Sequence, residues 1–214
     1  MRTILFRTPG LASLEALTTL GVSVKETSNP IGFFGTGFKY ALAWCLRNGH
    51  EVSVHWSNRT TCRFSTQEKL IRGQTVKLIL ADGVPLGFTT ALGPTWEAWQ
   101  AYRELHSNTL DESGEILEGR PEGAWTGRPQ ETIIQVSGDE FARAYDERGK
   151  IFLAPANLLE SNSLGAVYSG SSKHRFYRGV RAGDLPQTSL LTWNRTSETK
   201  LTEDRTIEIG RAHV

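Results

Sequence analysis

Cysteine is scarce in this chain of 214 residues, with Cys45 and Cys62 its two examples and no CxxC arrangement between them. That excludes a disulfide scaffold and a cysteine-rich zinc site, and the pair reads as two reduced thiols, with a single disulfide between them as the alternative. The five histidines are scattered, without HxxxH or HExxH spacing, so a histidine metal site is not expected. No run approaches the roughly 20 apolar residues of a membrane helix, and the first ten residues carry no long apolar core. Charge of one sign is missing too: 24 basic against 23 acidic residues leave a formal +1, too little to draw the chain to nucleic acid or an acidic membrane as a whole. A cytoplasmic protein is the expectation.

What is present describes a globular chain. Apolar residues make up 38% and charged residues 22%, at a mean hydropathy of −0.34. Strands are expected over 2–7, 51–56, 61–65, 75–80, 132–136 and 151–153. Helices are expected over 11–21, 38–47 and 96–110, and a short one from 201, capped by Thr202. Phe38, Leu42, Cys45 and Leu46 share one face of the second helix. Residues 115–130, with three glycines and two prolines, read as loop. In the final third, 175–181 and 189–193 are expected to pair across Gly183-Asp184. The economical assembly is α/β (α+β), a two-layer sandwich whose mixed, mostly antiparallel sheet is covered by helices on one face. The division expected is a core over 1–137 and an extension over 138–214.

Two elements carry chemistry. Gly32, Gly35 and Gly37 stand immediately before a helix, where converging backbone N–H groups and the helix N-terminus favour an anion. The same glycines also suit a turn that admits close helix packing. No Gly-Lys-Ser/Thr follows them, so this is not a Walker A loop, and no strand precedes them as a Rossmann fingerprint needs. The second element is Glu104, Asn108 and Asp111, at i, i+4 and i+7 on one helix face. A carboxylate and an amide one turn apart suit a divalent metal on phosphates and an oriented water.

Together the two are more specific. Ile31-Gly32-Phe33-Phe34-Gly35-Thr36-Gly37-Phe38-Lys39-Tyr40-Ala41 resembles the second glycine box of the GHKL ATPases, the group of gyrase B, heat-shock chaperones, sensor histidine kinases and MutL. Glu104-Leu105-x-x-Asn108-x-x-Asp111 resembles the N-box of that superfamily, and residues 73–80 its Gly-Thr strand. The glycine box precedes the N-box here, the reverse of the usual order, so the likeness is to a circularly permuted member and covers about residues 2–137. It implies a Bergerat-like fold that binds ATP with Mg²⁺ and hydrolyses it slowly. Glu104 would orient water and Asn108 would coordinate Mg²⁺, with Asp111 completing the motif. Gly32, Gly35, Thr36, Gly37 and Phe38 would hold phosphates, Lys39 would add charge, and Thr75 would lie near the base. Residues 11–21 would be the helix after the first glycine box and 22–30 the ATP lid. The family's base-recognising aspartate is replaced by Thr8-Pro9-Gly10, and Asp139 is the substitute carboxylate considered.

Two other functions remain open on the residues. One is a nucleotide-binding switch without turnover that presents a surface to a protein partner. The other is a nucleic-acid-binding module built on Lys173, His174, Arg175, Arg178 and Arg181, with Phe176 and Tyr177 interleaved.

Overall fold

The computed structural model describes residues 1–15, 36–199 and 201–202. The chain divides into two compact units, Met1–Tyr145 and Asp146–Val214. The first is built on a seven-stranded sheet: β1 (Thr3–Pro9), β2 (Glu51–Trp56), β3 (Thr61–Ile71), β4 (Gln74–Ala81), β5 (Val84–Thr89), β6 (Glu115–Glu118) and β7 (Glu131–Ser137). Its order is β5-β4-β3-β2-β7-β1-β6, and every neighbouring pair is antiparallel.

The centre of the sheet is set by two long-range registers. Phe6 lies opposite Ile134, and Ile134 opposite Val54. Alternation then puts Ile4, Phe6, Val52, Val54, Ile134 and Val136 on one face, and Leu5, Arg7, Ser53, His55, Ile133 and Gln135 on the other. Three helices cover the first face: α1 (Gly37–Arg47), α2 (Ala98–Asp111) and α3 (Asp139–Asp146). Phe6 meets Tyr102 of α2 at 5.9 Å and Phe141 of α3 at 6.0 Å between ring centroids, and Phe38 of α1 meets Phe64 of β3 at 6.0 Å. On the opposite face Leu5, Ile133 and Ala124 form a small cluster with Leu117 and Trp125 against it.

Local chemistry explains the helix ends. α1 stops at Asn48-Gly49, where Gly49 has φ +74°. The His50 amide bonds Cys45 O at 2.9 Å and the Gly49 amide bonds Leu46 O at 3.3 Å, a Schellman closure that needs a residue tolerant of positive φ. The Arg47 guanidinium holds the next turn by donating to Thr90 O, Leu92 O and Gly93 O at 2.5, 3.0 and 2.8 Å. α2 opens with a capping box between Glu97 and Gln100. Leu46, expected on the buried face of α1, is half-buried, and Trp44 takes that place.

Several expectations are corrected. Residues 115–118, read as loop, form the edge strand β6, and the remainder, with a 3₁₀ turn at Pro121–Gly123, folds back across the face opposite these three helices. β3 runs on to Ile71, because its pairing with β4 continues as far as Ile71 opposite Gln74 although its residues beyond Phe64 are exposed. The first unit extends through Tyr145 instead of ending at 137, because α3 is part of its core: Phe141 is fully buried against Phe6, Trp44 and Tyr102. The helix starts expected at 11 and 201 fall largely outside the described residues. No helix among the described residues is long and apolar enough to cross a membrane. Both cysteines are free and buried, and burial beside Asp82 pushes the Cys62 thiol up to about 11.

The second unit holds a five-stranded sheet in the order β11-β10-β12-β9-β8, formed by β8 (Leu158–Ser161), β9 (Gly165–Tyr168), β10 (Ser172–Tyr177), β11 (Val180–Ser189) and β12 (Thr192–Arg195). β10 and β11 turn at Arg178-Gly179, where φ is +50° and +82°, and not at Gly183-Asp184. β12 then lies parallel to β10. Residues 151–153 form no strand, only a bridge from Phe152 to Val180.

Two outcomes follow from this packing. Phe141→Ala is expected to lower stability by about 3–5 kcal/mol in urea unfolding, and a loss below about 1 kcal/mol would mean that α3 is peripheral. His50 is buried against Trp44, ring centroids 5.0 Å apart, and burial holds its pKa below the ordinary histidine value despite Glu140 and Asp139 nearby. The unfolded chain therefore takes up this proton first as pH falls. Stability is present above about pH 6.5 and declines on acidification below it. His55, shifted the same way, adds to that decline. His50→Gln should flatten the acid side of the stability profile, and identical profiles for variant and wild type would exclude His50 as its source.

Candidate functional site at the junction of two helices

The helix face of the first sheet brings together residues that are remote in sequence. α1 and α2 pack on each other, and Tyr40 and Trp96 stack at 5.1 Å beside the contact. At its N-terminal end α1 approaches α2 so closely that a Cβ on Gly37 would collide with the Glu104 carboxylate. Any larger residue at 37 displaces that group. The first glycine of α1 is thus seated on the first carboxylate of the 104–111 motif.

The Glu104 side chain is 1% exposed, as is that of its neighbour Arg103. The Arg103 Nη2 and Glu104 Oε1 atoms are 3.5 Å apart, and the guanidinium lies 5.2 Å from the Trp99 ring centroid. Lys39, one turn into α1, is also 1% exposed, and burial lowers its pKa from the ordinary lysine value. Fully burying three charged side chains is costly unless each finds compensation, so clustered burial of this kind marks a site more often than a surface stripe. The first turn of α1 contains no acidic residue, and its amides lie where intrahelical acceptors run out. The protein's own Glu104 carboxylate lies against that end of α1.

Asn108 and Asp111 follow Glu104 along the same helix face and are half-buried, so the motif grades from a closed end at Glu104 to an open one at Asp111. Among the described residues no group of three or more His, Cys, Asp or Glu side chains converges as a metal site. An amide at Asn108 beside a carboxylate nonetheless suits a cation that keeps several waters and binds chiefly through phosphate oxygens.

The other expected site residues are distributed differently. Thr36, Gly37, Phe38 and Lys39 form the start of α1. Gly32 and Gly35, with the lid expected over 22–30, lie outside the described residues. Thr75 is exposed and pairs with Leu70 near the tip of the β3–β4 hairpin, about 17 Å along the strand from the buried Leu80. It stands on a projecting ribbon, not in the packed layer. Thr8 is buried at the C-terminal end of β1. Asp139 lies at the opposite end of that strand, exposed, accepting the Arg2 amide at 3.0 Å, and so does not replace a carboxylate at Thr8. Glu131 pairs with Pro9 but belongs to the face opposite α1, α2 and α3, where Thr126 engages its carboxylate.

In the second unit the 173–181 segment is β10 and its turn. Phe176 is buried, and His174 and Arg181 both bind Asp184, at 2.7 and 2.9 Å. Part of the basic cluster is therefore committed to internal contacts, with Lys173 and Arg178 exposed.

Arg103 is the residue that sequence reasoning missed. A lone arginine beside a glutamate gives no periodic signal of burial; the Trp99 four positions earlier, on the same face, is the one available hint. No protein-family model, curated protein or solved structure matches the chain.

The Gly37 contact makes an opposed pair of effects testable. In an ordinary helix Gly→Ala stabilises by about 0.5–1 kcal/mol. Here the added methyl displaces a buried carboxylate, at a cost of about 1–3 kcal/mol. Gly37→Ala should therefore be net destabilising in urea unfolding; a stabilised variant would show that the approach to Glu104 is loose.

Proposed function

We propose that this chain is an ATP-binding protein of the GHKL type with permuted connectivity, and that it hydrolyses Mg-ATP slowly. The observation that carries the proposal is the seating of the α1 N-terminus, at Gly37, on the Glu104 carboxylate of α2. It makes neighbours of the glycine box and the N-box, which the resemblance requires to act on one phosphate chain. The antiparallel sheet with helices on one face is the layer arrangement that a Bergerat-like fold needs. Permutation also asks that β1 follow α2 in space although it starts the chain, and the Phe6–Tyr102 contact at 5.9 Å is in keeping with that.

The residues then take these roles. The first-turn amides at Thr36, Gly37 and Phe38 bind phosphate oxygens at a helix N-terminus, and Lys39 adds positive charge beside them. Glu104 orients the attacking water and accepts its proton, and Arg103 holds that carboxylate in place from the adjoining position. Asn108 would hold Mg²⁺, which when bound neutralises charge on the phosphates. Because phosphoryl transfer depends on positioning and electrostatics, this set suffices for slow turnover without a covalent intermediate.

Calorimetric titration with a non-hydrolysable ATP analogue, with and without Mg²⁺, tests the proposal. Saturable, Mg²⁺-dependent binding is expected. Glu104→Gln should keep that binding and lose hydrolysis by about 100-fold or more, whereas Asn108→Ala should weaken the Mg²⁺-dependent part of affinity. Absence of binding at about 1 mM analogue would sink the proposal. Binding without wild-type turnover would assign the switch function instead.

A further inference from the structure

The face of the first sheet turned away from the helices contains a cavity of about 510 Å³, in the first unit and separate from the α1–α2 junction. That volume is within the roughly 300–1,000 Å³ range of small-molecule sites. Its lining includes the half-buried His55 and Trp125, the buried Pro121, and the exposed Thr61, Arg59 and Arg128. We propose that this cavity is a second ligand site, for a small molecule carrying a flat ring and an oxyanion.

The anion is assigned by the arginines. Both are exposed, and among the described residues neither guanidinium makes a hydrogen bond or ion pair within the protein. They come from different segments, Arg59 from the β2–β3 turn and Arg128 from the loop before β7, and the fold brings them to one opening. A guanidinium group matches the planar geometry of a carboxylate or phosphate. Of the two carboxylates in the lining, Glu131 is 2% exposed and accepts the Thr126 amide at 3.1 Å and hydroxyl at 2.5 Å. Glu122 is exposed and opposes an anion, so its removal has a defined sign.

The ring is assigned by Trp125, half-buried and packed against the Leu5–Ala124–Ile133 cluster. An indole fixed in this way offers a stacking surface at small entropic cost. The lining around His55 is polar and held in place: His55 Nε2 contacts Ser53 Oγ at 2.9 Å and Gln135 Oε1 at 3.1 Å, and Nδ1 contacts Thr61 Oγ1 at 3.2 Å.

The walls are preformed. Arg7 donates to Ala124 O at 2.5 Å, and the Ser57 hydroxyl donates to Pro129 O at 2.9 Å. The Ser57 amide bonds Glu131 O at 3.0 Å, and the Glu131 amide bonds Ser57 Oγ at 3.1 Å. A loop tied at both ends need not be ordered by its ligand, which leaves more interaction energy for affinity.

Phenyl phosphate, which carries both features, is the probe. The intact chain is titrated and followed by ligand-observed NMR, with inorganic phosphate and benzyl alcohol as single-feature comparisons. Saturable binding of phenyl phosphate is expected, with each comparison at least about fivefold weaker. Arg59→Ala/Arg128→Ala should weaken it at least about tenfold, and Glu122→Gln should tighten it. Both arginines are exposed and, among the described residues, make no side-chain hydrogen bond or ion pair, so the double variant is expected to keep the wild-type unfolding midpoint, which is measured alongside. No saturable binding by the wild type up to about 10 mM, or equal affinity in the double variant, overturns the proposal. The measurement involves no nucleotide, so its outcome is separate from that of the ATP-binding test.

Discussion

The register of β7 between β1 and β2 is the constraint on which the first unit depends. With Phe6, Ile134 and Val54 in one row, an apolar face meets the helices, and Arg7, Ile133 and His55 fall to the other side. A slip of β7 by one residue would turn Gln135 and Ser137 toward the helices and Ile134 and Val136 away from them. The energetic penalty for burying those polar groups makes the register strongly specified. Everything placed on either face inherits it, from the ring cluster of Phe6, Tyr102 and Phe141 to the cavity lined by His55.

Against that apolar layer the α1–α2 junction is unusual. Glu104, Arg103 and Lys39 are each almost wholly buried, whereas buried charges generally detract from stability compared with well-packed apolar groups. The Arg103–Glu104 contact compensates part of the cost. Gly37 forgoes a side chain so that α1 can close over the carboxylate, although glycine is among the weaker helix formers. Sequence positions that work against stability in this way are where function is expected to reside. The proposed ATP site and the proposed second site lie on opposite faces of one sheet, the first defined by buried charge and the second by exposed arginines.

Legibility in the sequence followed the range of the interactions. The helix over 38–47 and the one over 96–110 were readable because their apolar spacing is local, and their observed bounds, Gly37–Arg47 and Ala98–Asp111, differ only at the ends. Edge strand β6 was not, because Glu115-Ile116-Leu117-Glu118 is short and becomes a strand only by pairing with Ile4 to Arg7. Helix α3 is not legible because eight residues are too few to display a helical period, and Phe141 gains its weight from three rings on other elements. The turn at Arg178-Gly179 was passed over for Gly183-Asp184, an equally good local signal, because register and not turn composition chose between them.

By itself the sequence determined the near-neutral charge, the poverty in cysteine, the helical face shared by Glu104, Asn108 and Asp111, and the glycines ahead of α1. These are properties of composition and of spacing within one element, and they survive any arrangement of the elements. The tertiary structure alone decided that Gly37 abuts Glu104, that Arg103 and Lys39 are buried, and that Thr75 stands on a projecting hairpin. It alone carried Arg59 and Arg128 to one opening. Each of these depends on a pairing or packing between distant segments, whose energy comes from surfaces that no local window of sequence contains.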